Sequence, residues 1–281
     1  MTGRVVLPAD GLDLTSTLTC GQVFHWRSQG AGWLGPVGDT VVQIEQQGGE
    51  LLVNAEAAAV AREYFALDHS LEEIYATFPV DESMARALVF CRGLRIVRQP
   101  AWECLATFIT SALKQVPHIA QISHTLRQRY GQRLDWPGAE IFAYPGPEKL
   151  AALTEADLRD CKLGFRAKNL LGAARMIAAG EVNLDHVASL PDTEAREELC
   201  RLPGVGEKVA NCALLFGFGR LAAFPIDVWI ERVLRELYFR RKRNVTARRL
   251  REFSGTYFGP YGGYAQQYLF HHARMTWKKA V

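Results

Sequence analysis

The stretch Leu202-Pro203-Gly204-Val205-Gly206-Glu207-Lys208 puts an amine directly behind a turn made of one proline and two glycines. One helix is expected to end near Cys200 and a second to start near Glu207. Glycine permits positive φ and close backbone approach. The main-chain N–H groups at the new helix start suit an anion such as a DNA phosphate. This is the physical content of a helix-hairpin-helix, at about residues 193–217, with Leu202, Gly204 and Gly206 as candidate DNA-binding residues. A lysine near a helix start is disfavoured by the macrodipole. In a desolvated site its pKa falls and a neutral amine nucleophile becomes available. Taken alone, Lys208 reads more simply as a surface lysine with its stem on apolar neighbours. The motif around it turns the reading toward chemistry.

Asp227 stands nineteen residues after Lys208, within Phe224-Pro225-Ile226-Asp227-Val228-Trp229-Ile230. Pro225 ends the preceding segment, and Asp227 sits where a helix over 228–239 begins. Asp227 is therefore an expected N-cap. A carboxylate held by backbone N–H groups stays ionised and can face a positive centre that develops nearby, so both roles can hold. Cys212 lies four residues after Lys208 and shares its helix face; it reads equally as a small core residue. Rival readings of the glycines fail on spacing. A dinucleotide fingerprint needs a third glycine where Val209 stands, and a P-loop needs Gly-Lys-Ser/Thr where Gly206-Glu207-Lys208-Val209 stands.

These residues need elements to hold them. Val41–Glu45 and Leu51–Val53 are β-prone runs separated by Gly48-Gly49, a hairpin signal. Gly35-Pro36 marks another turn. Helices are expected near 55–67 and 81–92. After Gln99-Pro100 the strand signals fade and helical spacing recurs at 101–113, 118–130, 148–151, 155–161, 166–179, 193–200, 207–217, 228–239, 246–253 and 263–278. The expected class is α+β: an antiparallel β-sheet head over residues 1–98, then a helical region of two subdomains over 99–281.

Composition narrows the rest. The 281 residues carry a net charge of only +3, which hides an asymmetry. From Glu231 to Val281 there are 12 Lys and Arg against 3 Asp and Glu, and the remainder holds 21 against 27. The densest basic run is Arg240-Arg241-Lys242-Arg243, with Arg248, Arg249 and Arg251 behind it. Such a cluster attracts phosphates, or is only a solvated helix face. The six cysteines are scattered, with no C-x-x-C pair; this argues against a zinc ribbon or iron–sulfur cluster. It fits a reducing cytoplasm. The seven histidines include one adjacent pair, His271-His272, and no metalloprotease helix motif. No apolar run reaches about 20 residues, so no membrane span is expected. Neither metal nor organic cofactor is called for.

Together, Leu202-Pro203-Gly204-Val205-Gly206-x-Lys208 and Phe224-Pro225-x-Asp227 resemble the helix-hairpin-helix base-excision DNA glycosylases. Three further strings resemble the 8-oxoguanine DNA glycosylase branch: Cys20-Gly21-Gln22-Val23-Phe24-His25-Trp26, Leu163-Gly164-Phe165-Arg166-Ala167-Lys168, and Gly259-Pro260-Tyr261 through Gln266-Gln267-Tyr268-Leu269-Phe270. Glu103-Cys104-Leu105 with Phe108-Ile109 also matches. The resemblance implies a bifunctional glycosylase/AP lyase acting on duplex DNA that contains oxidised guanine, as a monomer at the bacterial nucleoid. It implies Lys208 as nucleophile and Asp227 as the carboxylate that orients it. It places Cys212 and Phe270 on the two faces of a flipped base, Gln266 on its pairing edge, and the Gly21 carbonyl on the N7–H of 8-oxoguanine. Phe165 and Arg166 match positions that wedge into the duplex and meet the orphaned cytosine.

The chain departs from the animal and yeast pattern in three places. Ser111–His118 replaces an Asn-rich turn, Gln121 stands where a second cytosine-reading arginine is found, and Trp229 stands in place of a histidine. These bear on the opposite base and not on the reaction. Two other readings stay open from the residues alone. One is an alkylated-base glycosylase using Asp227 without lyase chemistry, a class that usually lacks the hairpin lysine. The other is a non-catalytic helix-hairpin-helix module, which needs neither Lys208 with Asp227 nor a base pocket.

Overall fold

The computed structural model describes residues 3–112, 114–240 and 244–277. Five antiparallel strands form the head: β1 (Arg4–Pro8), β2 (Arg27–Gln29), β3 (Gly32–Val37), β4 (Thr40–Gln47) and β5 (Glu50–Asn54), in the order β1-β5-β4-β3-β2. The expected β4–β5 hairpin pairs Gln47 with Glu50 around Gly48-Gly49. Gly35-Pro36 is not a turn. It lies inside β3, with Pro36 opposite Val41. β2 pairs only as far as Leu34, so Pro36 sits where the strand has an open edge and its missing N–H costs no ladder bond. Alternating Val42, Ile44, Leu51 and Val53 bury one face of the sheet against Tyr64 and Phe65.

The remaining elements are helical: α1 (Leu14–Thr19), α2 (Ala58–Tyr64), α3 (Leu71–Ala76), α4 (Glu82–Cys91), α5 (Ala101–Ser111), α6 (Val116–Tyr130), α7 (Pro147–Ala151), α8 (Glu155–Arg159), α9 (Arg166–Ala178), α10 (Leu184–Ser189), α11 (Asp192–Cys200), α12 (Glu207–Phe216), α13 (Val228–Val233), α14 (Ala247–Tyr257) and α15 (Gly262–Thr276). A short ribbon, β6 (Arg133–Leu134) with β7 (Ile141–Phe142), follows α6. α13 runs on into one wider turn over Leu234–Tyr238, so the helix expected over 228–239 is present with a change of pitch. Among the described residues no helix is long and apolar enough to cross a membrane.

α5 is the central strut: every residue from Glu103 to Ser111 is buried. One core joins it to α9, α12 and α15, and takes in Ile74, Met84 and Leu94 from the segment that follows the sheet. Tyr264 and Tyr268 are fully buried in it. Tyr268 bonds the Leu94 carbonyl at 2.8 Å and the Tyr75 hydroxyl at 2.9 Å. Tyr264 meets His69 Nδ1 at 3.0 Å. The aromatic run of the last helix thus serves packing, and its buried hydroxyls are satisfied, as burial demands. It also ties the last helix to the head.

Candidate active site

The hairpin is a local product of its glycines. Leu202 and Val205 are buried and anchor the turn, with Val205 N–H donating to the Leu202 carbonyl at 3.1 Å. Gly204 has φ +80°, and a Cβ there would stand 2.7 Å from Cβ of Asn169 on α9. Both conformation and space require glycine. Gly206 then opens α12 as its N-cap with no side-chain cap, which leaves the helix start to outside partners.

Lys208, half-buried on the first turn of α12, turns back over α5. Its Nζ lies 5.1 Å from the centroid of the Phe108 ring and donates to Ser111 Oγ at 3.4 Å. Phe108 is held by stacking on Phe216 and by the edge of Phe24. One turn along α12, Cys212 is buried. Burial pushes its thiol up to about 11, against the pull of the Lys208 charge. That thiol is a neutral, soft wall and not a nucleophile.

Asp227 caps α13 as expected, accepting from Ile230 N–H at 2.8 Å. The Lys208 charge acts on it through space. The expectation that N–H bonds keep its carboxyl low is corrected: burial outweighs the Ile230 bond and Lys208, and the group is raised above its ordinary value. A raised carboxylate is a better acceptor for a proton from the neighbouring amine.

The other side of the site comes from the two ends of the chain. Gly21, just past α1, has φ +94°, and a Cβ on it would lie 3.4 Å from the Phe270 ring and 2.7 Å from Arg274 Nη1. Gln266, one turn before Phe270 on α15, is buried, and its Oε1 has no hydrogen-bond partner. An orphaned buried acceptor costs about 1–3 kcal/mol, which a ligand donor in that place would recover. Among the described residues no cluster of three His, Cys, Asp or Glu is placed to hold a metal ion.

The comparisons with known proteins decide the family. Residues 107–255 match the HhH-GPD superfamily of base excision DNA repair proteins. The chain belongs to the HhH-GPD superfamily. Residues 4–105 match the N-terminal domain of 8-oxoguanine DNA glycosylase, which bears out the branch read from the sequence. The "Probable N-glycosylase/DNA lyase" of Methanothermobacter thermautotrophicus is 32% identical over 75% of this chain and 72% of its own length. The Clostridium acetobutylicum 8-oxoguanine glycosylase/lyase, solved with DNA carrying cytosine opposite 8-oxoG, superposes with TM-score 0.89 at 32% identity, over 98% of this chain and 99% of that one. The DNA complex of MBOgg1 superposes with TM-score 0.93 at 31% identity, over 98% and 96%.

Within this HhH-GPD fold, Phe165 is exposed at the start of α9, with the Arg166 guanidinium 4.2 Å from its ring centroid. Arg166 itself is buried. Its guanidinium donates to the Ala112 carbonyl and, at 3.3 Å, to that of Leu163. The structure therefore places Phe165 at the surface and ties Arg166 to the Ala112 and Leu163 carbonyls. Of the basic run, residues 241–243 lie outside the described residues. Arg248 and Arg249 are paired with Glu252, and Arg251 with Glu207. His25 is buried 3.3 Å from Glu103, which also binds Arg127, and serves as a structural group.

The sequence reading missed Ser111, Phe108 as the ring under Lys208, and Arg274. Ser111 opens the segment that departs from the family, so it carried no signal. Phe108 falls in a string shared with the family, which by itself gives it no role beside Lys208. Arg274 sits one turn beyond Phe270, and that spacing alone could have placed it on the same face.

Proposed function

We propose that this chain is a bifunctional DNA glycosylase/AP lyase that excises 8-oxoguanine from duplex DNA. The observation that carries the reading is the placement of Lys208 over Phe108, facing Asp227 and Cys212. A target base inside a duplex is out of reach and must be extruded, at a cost of a few kcal/mol. Once it is out, the amine of Lys208 forms a bond to the anomeric carbon. The bond from that carbon to the base breaks, and the base leaves with the electron pair and takes up a proton. The nitrogen then loses a proton, its lone pair forms the C1′=N bond as the C1′–O4′ bond breaks, and O4′ leaves with that electron pair and takes up a proton, giving a ring-opened protonated Schiff base. Removal of a C2′ proton then expels the 3′ phosphate by β-elimination. Asp227 accepts the proton from Lys208 and stabilises the positive sugar centre. Gly21, Gln266, Cys212 and Phe270 make the base pocket, and all of them come from one chain, so a monomer suffices. Leu202, Gly204 and Gly206 hold a phosphate at the hairpin, and Phe165 fills the gap left in the duplex.

Two features favour this over the alternatives. A module that only holds phosphates has no use for Lys208 beside Asp227 or for an orphaned amide on α15. An alkylated-base enzyme working through Asp227 alone has no use for the lysine. Borohydride trapping on an 8-oxoguanine duplex is the test. The wild-type chain gives a covalent adduct and Lys208→Gln gives none. An adduct that survives in Lys208→Gln, or none in the wild type, overturns the mechanism.

A further inference from the structure

Arg274 is a partly buried cation between the first helix and the last. Its Nη2 donates to the Thr19 carbonyl at 2.7 Å, across 255 positions of sequence. That carbonyl belongs to the last residue of α1, where helix-end carbonyls lack partners and a cation is favoured. Its Nη1 lies over Gly21, 2.7 Å from where a Cβ would stand. Its Cζ is 5.5 Å from the centroid of Phe270, one turn earlier on α15. Its charge faces that of Asp227. One guanidinium thus touches the turn that carries the Gly21 carbonyl and the ring that forms a face of the pocket.

We propose that Arg274 is a positioning residue for base selection: it locks the Gly21 turn onto Phe270, and so sets where the Gly21 carbonyl meets the purine. This rests on the glycosylase reading above. A single carbonyl separates an N7–H from a bare N7 only if it stands at hydrogen-bond distance from that nitrogen. Where one contact carries the choice, a small displacement removes it, and a misplacement of about 1 Å can cost about a hundredfold in rate. The rigid fork of arginine is what the geometry uses, since one arm binds Thr19 while the other covers Gly21. A lysine is a point charge and cannot do both. The glycine at 21 follows from its φ of +94°, and a Cβ there would also press on the guanidinium.

The test compares two substrates. Excision is measured under single turnover on an 8-oxoguanine duplex, and strand cleavage on the same duplex with a preformed abasic site, which offers no base to position. Arg274→Ala is expected to lose excision at least about tenfold more than abasic cleavage. Arg274→Lys is expected to behave like Arg274→Ala, and either variant to narrow the preference for 8-oxoguanine over guanine. Gly21→Ala and Gly21→Ala/Arg274→Ala complete a cycle, and their losses should not multiply. Should Arg274→Ala fail to fold, Arg274→Lys carries the same comparison with stem and charge retained. Equal losses on both substrates, full activity in the lysine variant, or an unchanged guanine preference overturns the proposal. A wild-type chain inactive on both duplexes overturns the enzymatic reading and the proposal with it; wild-type activity with equal losses overturns the proposal alone.

Discussion

The site has two walls built by different rules. Lys208 and Asp227 lie within 20 residues of one another, on α12 and at the start of α13. Their placement follows from helix spacing and a cap, both local. Gly21 and Phe270 stand near opposite ends of the chain and meet only because α15 docks against the head. The wall proposed to do the chemistry is fixed by short-range geometry, and the wall proposed to read the base is fixed by tertiary packing. A change in the first should therefore abolish reaction with the fold intact, whereas a change in the second should alter selectivity and follow the stability of the docking.

Asp227→Asn tests the first wall most severely. Asparagine caps a helix as well as aspartate does, so the Ile230 contact survives and the melting temperature should scarcely move. The charge that faces Lys208 is lost, and single-turnover excision should fall about 100- to 1,000-fold, the scale of one lost electrostatic stabiliser. Asp227→Ala should lose about 1 kcal/mol of stability as well. An asparagine variant with near-normal excision would mean that the residue is a cap and no more.

The same contrast explains what the sequence made legible. The hairpin, the cap at Asp227 and the shared face of Lys208 and Cys212 could be read because each depends on residues within one or two turns. The head was half legible. Its β4–β5 hairpin carries its own glycine turn, but β1 and β2 are strands only because partners lie beside them, and Gly35-Pro36 looked like a turn because nothing local reveals an open strand edge. The pocket residues Gly21, Gln266 and Phe270 were reached through family resemblance, since no spacing rule connects position 21 to position 270. Two roles escaped altogether for the same reason: the Arg166 bond to the Ala112 carbonyl and the Arg274 bond to that of Thr19 join segments far apart in sequence.

Acid should strike the docked wall. His271 on α15 is buried beside Arg274 and the Phe90 ring. Burial foremost, with the Arg274 charge, lowers it from its ordinary 6.5 to about 4. The His272 charge acts in the same direction and Asp13 opposes it. His25, at the seam between head and α5, is also held well below its usual value by burial and by Arg127. A histidine kept neutral by the fold is protonated first in the unfolded chain. Its support is therefore complete above about pH 6.5 and is lost as pH falls through 6.5 toward 4, at up to about 1.4 kcal/mol per pH unit for each such group. Thermal melting from pH 7.5 to 5 should show the drop, and His271→Gln should flatten it. An unchanged slope in that variant would remove His271 from the account and leave the docking of α15 insensitive to acid.

The smallest expected effect sharpens the first wall. Glu207 is the first residue of α12, beside the N–H groups proposed to hold a phosphate, and it is paired with Arg251 at 2.7 Å. Both side chains are about half exposed, so the pair is worth at most about 1 kcal/mol to the fold. An acidic residue there favours the helix dipole but repels the DNA backbone. Glu207→Gln removes that repulsion and frees Arg251 for the same phosphate, and both changes act in one direction. At about 8 Å in water one charge pair is worth about 0.5 kcal/mol. Binding to undamaged duplex should thus tighten about two- to threefold at low salt, and the gain should fade once the screening length drops well below 10 Å. Excision under single turnover at saturating enzyme should stay as it was, because neither Lys208 nor Asp227 has moved. Weaker binding in Glu207→Gln would mean that no phosphate lies at this helix start, and the hairpin would then be a scaffold for Lys208 and not a grip on DNA.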